Sequence, residues 1–167
     1  MDAGAAAAQQ AAQQKPALNE ARVQELTKVV ESDPRNAGAT AELANLYFDA
    51  ERFTDAATWY ERSLKLRPND PDISTDLGVS YFYTDRADQA LSQFEYSLKL
   101  NPSHVKTLFN KGIVLAFGKE DVKGATVAWQ RVIELATGTP EAQAARRALE
   151  GIASGPHAGG AATPTNQ

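Results

Sequence analysis

The sequence predicts an all-α chain built as a solenoid of antiparallel helix pairs. Two observations predict it: self-similarity at one fixed interval along the chain, and apolar positions that recur three or four apart between short polar breaks. Pro34, Pro68 and Pro102 are evenly spaced and define that interval. Ala44, Gly78 and Gly112 keep the same spacing, as do Leu43 with Leu77, Tyr47 with Tyr81, Ala56 with Ala90, and Tyr60 with Phe94. A unit this short is one helix–turn–helix, and such units bury their apolar faces by stacking on one another.

Taken in order, residues 1–16 are low in complexity, Ala and Gln followed by Lys15-Pro16, with nothing amphipathic to bury. They read either as a floppy start or as the linker left by a removed membrane anchor. Residues 17–33 form the first helix, where Leu26 stands before Pro34 as Tyr60 stands before Pro68. In the first repeat, 37–70, Leu43, Leu46 and Tyr47 mark one stripe, and Phe53, Ala56, Ala57, Tyr60 and Leu64 mark the next. The second repeat, 71–104, follows with Leu77 and Tyr81, then Ala90, Leu91, Phe94 and Leu98. Ala50-Glu51-Arg52 and Thr84-Asp85-Arg86 link the helices of each pair, and Arg67-Pro68-Asn69-Asp70 and Asn101-Pro102-Ser103 separate the repeats. Asp70 and Ser103 are placed to cap the helices that follow, and Pro71 suits a first helical position. The third repeat, 105–138, carries Gly112, Ala125 and Trp129, with one extra residue between Phe117 and Ala125. Residues 140–153 place Ala142, Ala145, Leu149 and Ile152 on one face, as a terminal capping helix requires, and 154–167 is a Gly/Pro/Ala/Thr-rich tail expected to be disordered.

At these positions the chain resembles the tetratricopeptide-repeat (TPR) family, whose pattern is W-x2-L-G-x2-Y, then A-x3-F, then P. The first repeat supplies Thr40, Leu43, Ala44, Tyr47, Ala56, Tyr60 and Pro68. The second supplies Ser74, Leu77, Gly78, Tyr81, Ala90, Phe94 and Pro102. The third supplies Leu108, Lys111, Gly112, Leu115, Ala125 and Trp129. The departures are Thr40 and Ser74 in the tryptophan slot, Lys111 where leucine is expected, Thr137 in the last proline slot, and Arg22 in the small-residue slot of the first helix. The resemblance implies a right-handed α-solenoid, the TPR superhelix, over 17–153.

The composition excludes several function classes. With 17 basic and 21 acidic residues and no basic stripe, nucleic acid is not a partner. The absence of cysteine excludes disulfides, thiolate metal sites and cysteine nucleophiles. No segment approaches the roughly 18 uninterrupted apolar residues of a membrane span, so this chain does not itself insert in a membrane. His104 opens a helix with no apparent partner, and His157 lies in the tail. Asp70 and Asp72, and Asp85 and Asp88, sit at turns, where capping accounts for them. No catalytic residue, metal or cofactor is expected. The chain reads as soluble, cytoplasmic or periplasmic, or as the soluble part of a membrane-anchored protein.

The resemblance also implies where a partner lies: on the concave face lined by the first helix of each pair. By register that face takes Ala41, Asn45, Phe48 and Asp49 from the first repeat, and Thr75, Asp76, Val79, Phe82 and Tyr83 from the second. The third gives Lys106, Phe109, Asn110, Ile113 and Phe117. This is an apolar groove edged by Asn45, Asp49 and Asp76, suited to a protein or peptide with apolar anchors. The carboxylate clamp of chaperone-binding TPR domains is matched at Asn45 and Lys106 only, and Ala41, Asp76 and Asn110 depart from it. The expected function is a non-catalytic interaction scaffold, by family analogy of the kind found in bacterial assembly factors. The alternative is a homo-oligomer associating through its ends or through a convex patch at Trp59 and Tyr96.

Overall fold

A computed structural model of the protein describes residues 16–154. The Ala/Gln-rich stretch up to residue 15 and the tail from residue 155, with His157 and the disorder expected there, lie outside the described residues. Among the described residues there are eight α-helices and one π-helical turn, with no strand. In chain order the helices are α1 (Glu20–Ser32), α2 (Ala37–Asp49), α3 (Phe53–Leu66), α4 (Pro71–Phe82), α5 (Ala87–Leu100) and α6 (Val105–Ile113). The π segment Val114–Gly118, α7 (Val122–Leu135) and α8 (Pro140–Ser154) follow. Two compact units divide between Asn69 and Asp70.

Capping sets the helix starts. Asn19, Asn36, Asp70 and Asp121 each accept a hydrogen bond from the backbone N–H three residues on, at 2.9–3.1 Å. Asn19 therefore opens α1 at Glu20 rather than at residue 17. Pro71 takes the first position of α4, as expected. Ser103 does not cap α6. Its N–H donates to Asn101 Oδ1 at 3.1 Å and holds the turn, so the cap position falls to His104, which makes no capping bond.

In the first unit α2 pairs with α3, and α1 packs on α2. Leu26 and Val30 of α1 meet Ala39 and Leu43 of α2, with Trp59 packed against them. Trp59 thus belongs to this unit's packing, and its ring lies 5.4 Å from the Arg62 guanidinium carbon. Arg22, in the small-residue slot of α1, reaches Glu25 at 2.7 Å and Glu42 of α2 at 2.6 Å. Hydrogen bonds to these carboxylates hold its guanidinium above its ordinary pKa, and the Glu42 contact ties α1 to α2.

In the second unit the close approach of paired helices is decided by glycine. A Cβ on Gly78 would stand 2.5 Å from Phe94 Cε1, and one on Gly112 would run into the Trp129 indole. Phe94 and Trp129 are both fully buried. The Trp129 Nε1–H donates to the Phe109 carbonyl at 3.1 Å, so the indole is satisfied where it packs. Leu108, Trp129, Val132 and Ala145 form the core around it, covered by Leu149 and Ile152 of α8.

A polar seam crosses this unit. Thr75, expected to face outward, is fully buried together with Ser97 and Thr107. Thr75 and Ser97 donate to the Pro71 carbonyl at 2.7 and 2.9 Å. The Thr107 hydroxyl lies 2.6 Å from Thr75 and 2.8 Å from Ser97, which joins α4, α5 and α6. Hydroxyls can be buried here because each finds a partner, and no described buried side-chain polar atom lacks one.

The extra residue of the third repeat appears as the π segment. Glu51, Asp85 and Glu120 adopt the left-handed conformation (φ 55°, 61° and 55°) and turn each pair. In the first two turns Arg52 and Arg86 donate to the carbonyls of Tyr47 and Tyr81, five positions back, at 2.8 and 2.9 Å. In the third, Asp121 donates to Leu115, six positions back, at 2.8 Å. The insertion is absorbed inside the helix as a wider turn, and the loop geometry is kept.

Gly112→Ala is expected to cost about 1–3 kcal/mol by overpacking against Trp129. Gly151→Ala, where an added methyl meets nothing within 4 Å in the last turn of α8, should gain up to about 0.5 kcal/mol. Thr107→Val should lose about 1 kcal/mol, because it removes the hydroxyl that joins Thr75, Ser97 and the His104 ring. Urea unfolding of the three variants checks all three signs.

Candidate functional site

The first helices, α2, α4 and α6, carry every residue that register assigns to the partner face, together with the turns that end α4 and α6. In the first unit, Asn45 and Asp49 are exposed. Asn45 Oδ1 accepts from the Tyr60 hydroxyl at 2.8 Å, so its amide is anchored by the second helix of its own pair. Phe48 is half-buried, and its ring packs edge-on against Phe53 (5.4 Å) and Tyr60 (6.1 Å).

In the second unit α4 and α6 pack side by side. The ion pair of Asp76 and Lys106 at 2.7 Å joins them. The edge expected to be acidic is therefore occupied at Asp76 by a cation of the same unit, which also commits the one lysine that matched the carboxylate clamp. Val79, Phe109, Asn110 and Ile113 are half-buried. Phe109 and Ile113 pack on the core of Leu108 and Trp129 from its outer side. The Asn110 side chain donates to the Lys106 carbonyl at 2.9 Å.

The turns carry the exposed rings. Phe82 is half-buried, and a Cβ on Gly118 would lie 3.0 Å from its Cε2, so the third repeat's π segment covers it. Tyr83 leans on Phe82 with centroids 5.8 Å apart and is 61% exposed. Phe117 is 68% exposed. Tyr83 and Phe117 occupy the same slot in successive repeats, where the first repeat has Asp49. Two large rings held open to solvent at one register stand out from the half-buried residues around them.

His104 is not without partners, contrary to the sequence reading. Its Nδ1 lies 2.5 Å from Thr107 Oγ1 and its Nε2 3.2 Å from Asp72 Oδ1. Thus Asp72 serves α6 through His104, while Asp70 alone caps α4. The signal missed was helical: Asp72 and Thr75 share a face of α4, and His104 and Thr107 share one of α6. Among the described residues no group of three His, Asp or Glu side chains could hold a metal ion. Nor is any described helix long and apolar enough to cross a membrane.

Residues 40–154 match the family model described as the cilia and flagella-associated protein 70 middle TPR-like domain. The chain belongs to this TPR-like family. No curated protein sequence matches it. Among solved structures, the crystal structure of MamA superposes with a TM-score of 0.67 at 20% identity, over 76% of this chain and 77% of that one. The first TPR of Spaghetti (RPAP3), bound to the HSP90 peptide SRMEEVD, gives 0.62 at 24% identity, over 71% and 93%. The first TPR domain of human RPAP3 gives 0.63 at 25% identity, over 70% and 91%. The fold of this family member is the TPR α-solenoid, and such domains are protein-interaction modules.

The Asp76–Lys106 pair is half open to water at its lysine end. A double-mutant cycle on Asp76→Asn and Lys106→Met should return a coupling of about 0.5–1 kcal/mol that shrinks as salt is raised toward about 1 M.

Proposed function

We propose that this chain is a non-catalytic assembly scaffold that holds a polypeptide segment against the α4–α6 face of its second and third repeats. The observation that carries this reading is the pair of exposed rings, Tyr83 and Phe117, at one register of two successive repeats. Val79, Phe82, Phe109 and Ile113 continue the apolar surface along the same two first helices. Asn45, Phe48 and Asp49 hold the corresponding register in the first repeat, within the first unit. Lys106, Asn110 and Asp76 supply the polar border, with the Asp76 carboxylate already answered by Lys106.

The partner that suits such a face presents apolar or aromatic anchors. A C-terminal carboxylate does not suit it: Ala41 and Asn110 lack the clamp's cations, and Lys106 is spent on Asp76. The HSP90 peptide SRMEEVD, bound by the RPAP3 domain, is therefore a discriminating probe here.

A second reading, self-association through the second helices, is favoured by Tyr96 and Leu100, which α5 leaves exposed. Sedimentation velocity over a wide concentration range decides it, since a monomer throughout removes it.

Tyr83→Ala with Phe117→Ala should leave the unfolding midpoint nearly unchanged, because both rings face water. Pull-down with the wild type should retain at least one protein that this double variant releases. An unchanged set of captured proteins sinks the proposed face. SRMEEVD should bind no more tightly than its C-terminally amidated form in fluorescence anisotropy.

A further inference from the structure

The repeats act as controls for one another, and the third departs from the first two at positions that meet in one place. Where the first two carry buried Leu43 and Leu77, the third carries Lys111. Where they carry Tyr47 and Tyr81, it carries Leu115. In both earlier repeats an arginine of the turn stacks on that tyrosine, Arg52 at 5.4 Å and Arg86 at 4.4 Å. The equivalent residue after the insertion is Asp121. Exposed Thr58 and Ser92 become Val127, which is 67% exposed on α7. All four of these residues line a single cavity of about 690 Å³, to which α5, α6, the π segment and α7 contribute. A ring, its stacked cation and a core leucine are absent from this repeat, and the space they would help to fill is open.

The charges of the cavity are unequal in their commitments. Asp121 Oδ1 accepts the Gly124 N–H at 2.9 Å, and Glu134 pairs with Arg131 at 2.9 Å. Lys111 is only 26% exposed, and its nearest carboxylate, Glu95, stands 3.9 Å away, too far for a hydrogen bond. Glu95 is itself 62% exposed and can turn to water. The ammonium thus keeps only a long ion pair to Glu95, stays open to water, and has hydrogen-bonding capacity to offer a ligand's carboxylate beside the apolar side chains of Leu91, Leu115 and Val127. The volume lies in the range of small-molecule sites, which are mostly apolar with a few placed polar groups.

We propose that this cavity, on the side of the second helices, binds an aromatic monocarboxylate. The ring takes the space left by the missing tyrosine, against Leu115, Leu91 and Val127, and the carboxylate pairs with Lys111. The site is separate from the α4–α6 face and does not depend on it.

The test uses 3-phenylpropionate as probe and 3-phenylpropylammonium as its charge-reversed control, titrated into the ¹⁵N-labelled full chain. The carboxylate should shift, saturably, amides of the residues that line the cavity, and the ammonium should not. Lys111→Leu restores the residue of the first two repeats and should keep the fold while weakening the carboxylate by about tenfold or more. Val127→Asp, on an exposed wall, should weaken it likewise. Equal shifts with the ammonium, no saturable shift with the carboxylate, or wild-type affinity in Lys111→Leu each overturns the proposal.

Discussion

Each helix pair depends on a large ring meeting a residue too small to hold it off. Gly78 under Phe94 and Gly112 under Trp129 leave no room for a Cβ, and the rings are buried completely. Ala44 and Tyr60 occupy the same slots in the first pair and are equally buried. A glycine in mid-helix costs roughly 1 kcal/mol in backbone entropy. Burying a ring of this size returns several times that. The closest packing between paired helices therefore sits where the helix former is worst, and from that contact the rest follows. The first helix lies on its partner at a set distance, the turn between them is short enough to need a left-handed residue, and the outer face of the first helix remains available.

That contact is also why so much of the fold was legible. Spacing exposes it directly. Ala44 stands as far before Tyr60 as Gly78 does before Phe94, and a small residue and a ring repeated at one separation cannot arise from a single amphipathic helix. The Pro-rich turns, the Asp70 cap and Pro71 at its first position are local chemistry and were equally readable. An apolar stripe of Ala142, Ala145, Leu149 and Ile152 points to the last helix, which the described residues carry as Pro140–Ser154. Even the insertion of the third repeat could be counted from the spacing of Gly112 and Ala125.

What the sequence did not reveal are the places where polar groups of different helices meet. Thr75 looks like an outward-facing residue because threonine carries a hydroxyl, yet Ser97 and Thr107 approach from two other helices and make burial cheap. His104 looked unpartnered because only one of its partners, Thr107, lies on its own helix, and the other, Asp72, comes from α4. Phe48 and Asp76 likewise have contacts that their register does not show. A half-buried ring and a carboxylate are taken up by neighbours that register alone does not reveal, Phe53 and Tyr60 in one case and Lys106 in the other.

The third repeat shows how a fold this regular makes room for something specific. A repeat protein has little freedom along its paired helices, since any change there meets the ring contact. Gly112, Ala125 and Trp129 accordingly keep their roles, and the insertion is confined to a π turn beyond them. Four of the other changes lie outside that contact and line one cavity: Lys111, Leu115, Asp121 and Val127. Each is locally unfavourable or neutral for packing, since one buries a charge, one gives up a ring, one removes a stacked cation and one exposes an apolar side chain. Independent losses of packing would scatter around the repeat. Their convergence on one cavity, with the structural contact intact behind it, is the pattern expected where local stability has been yielded to a site.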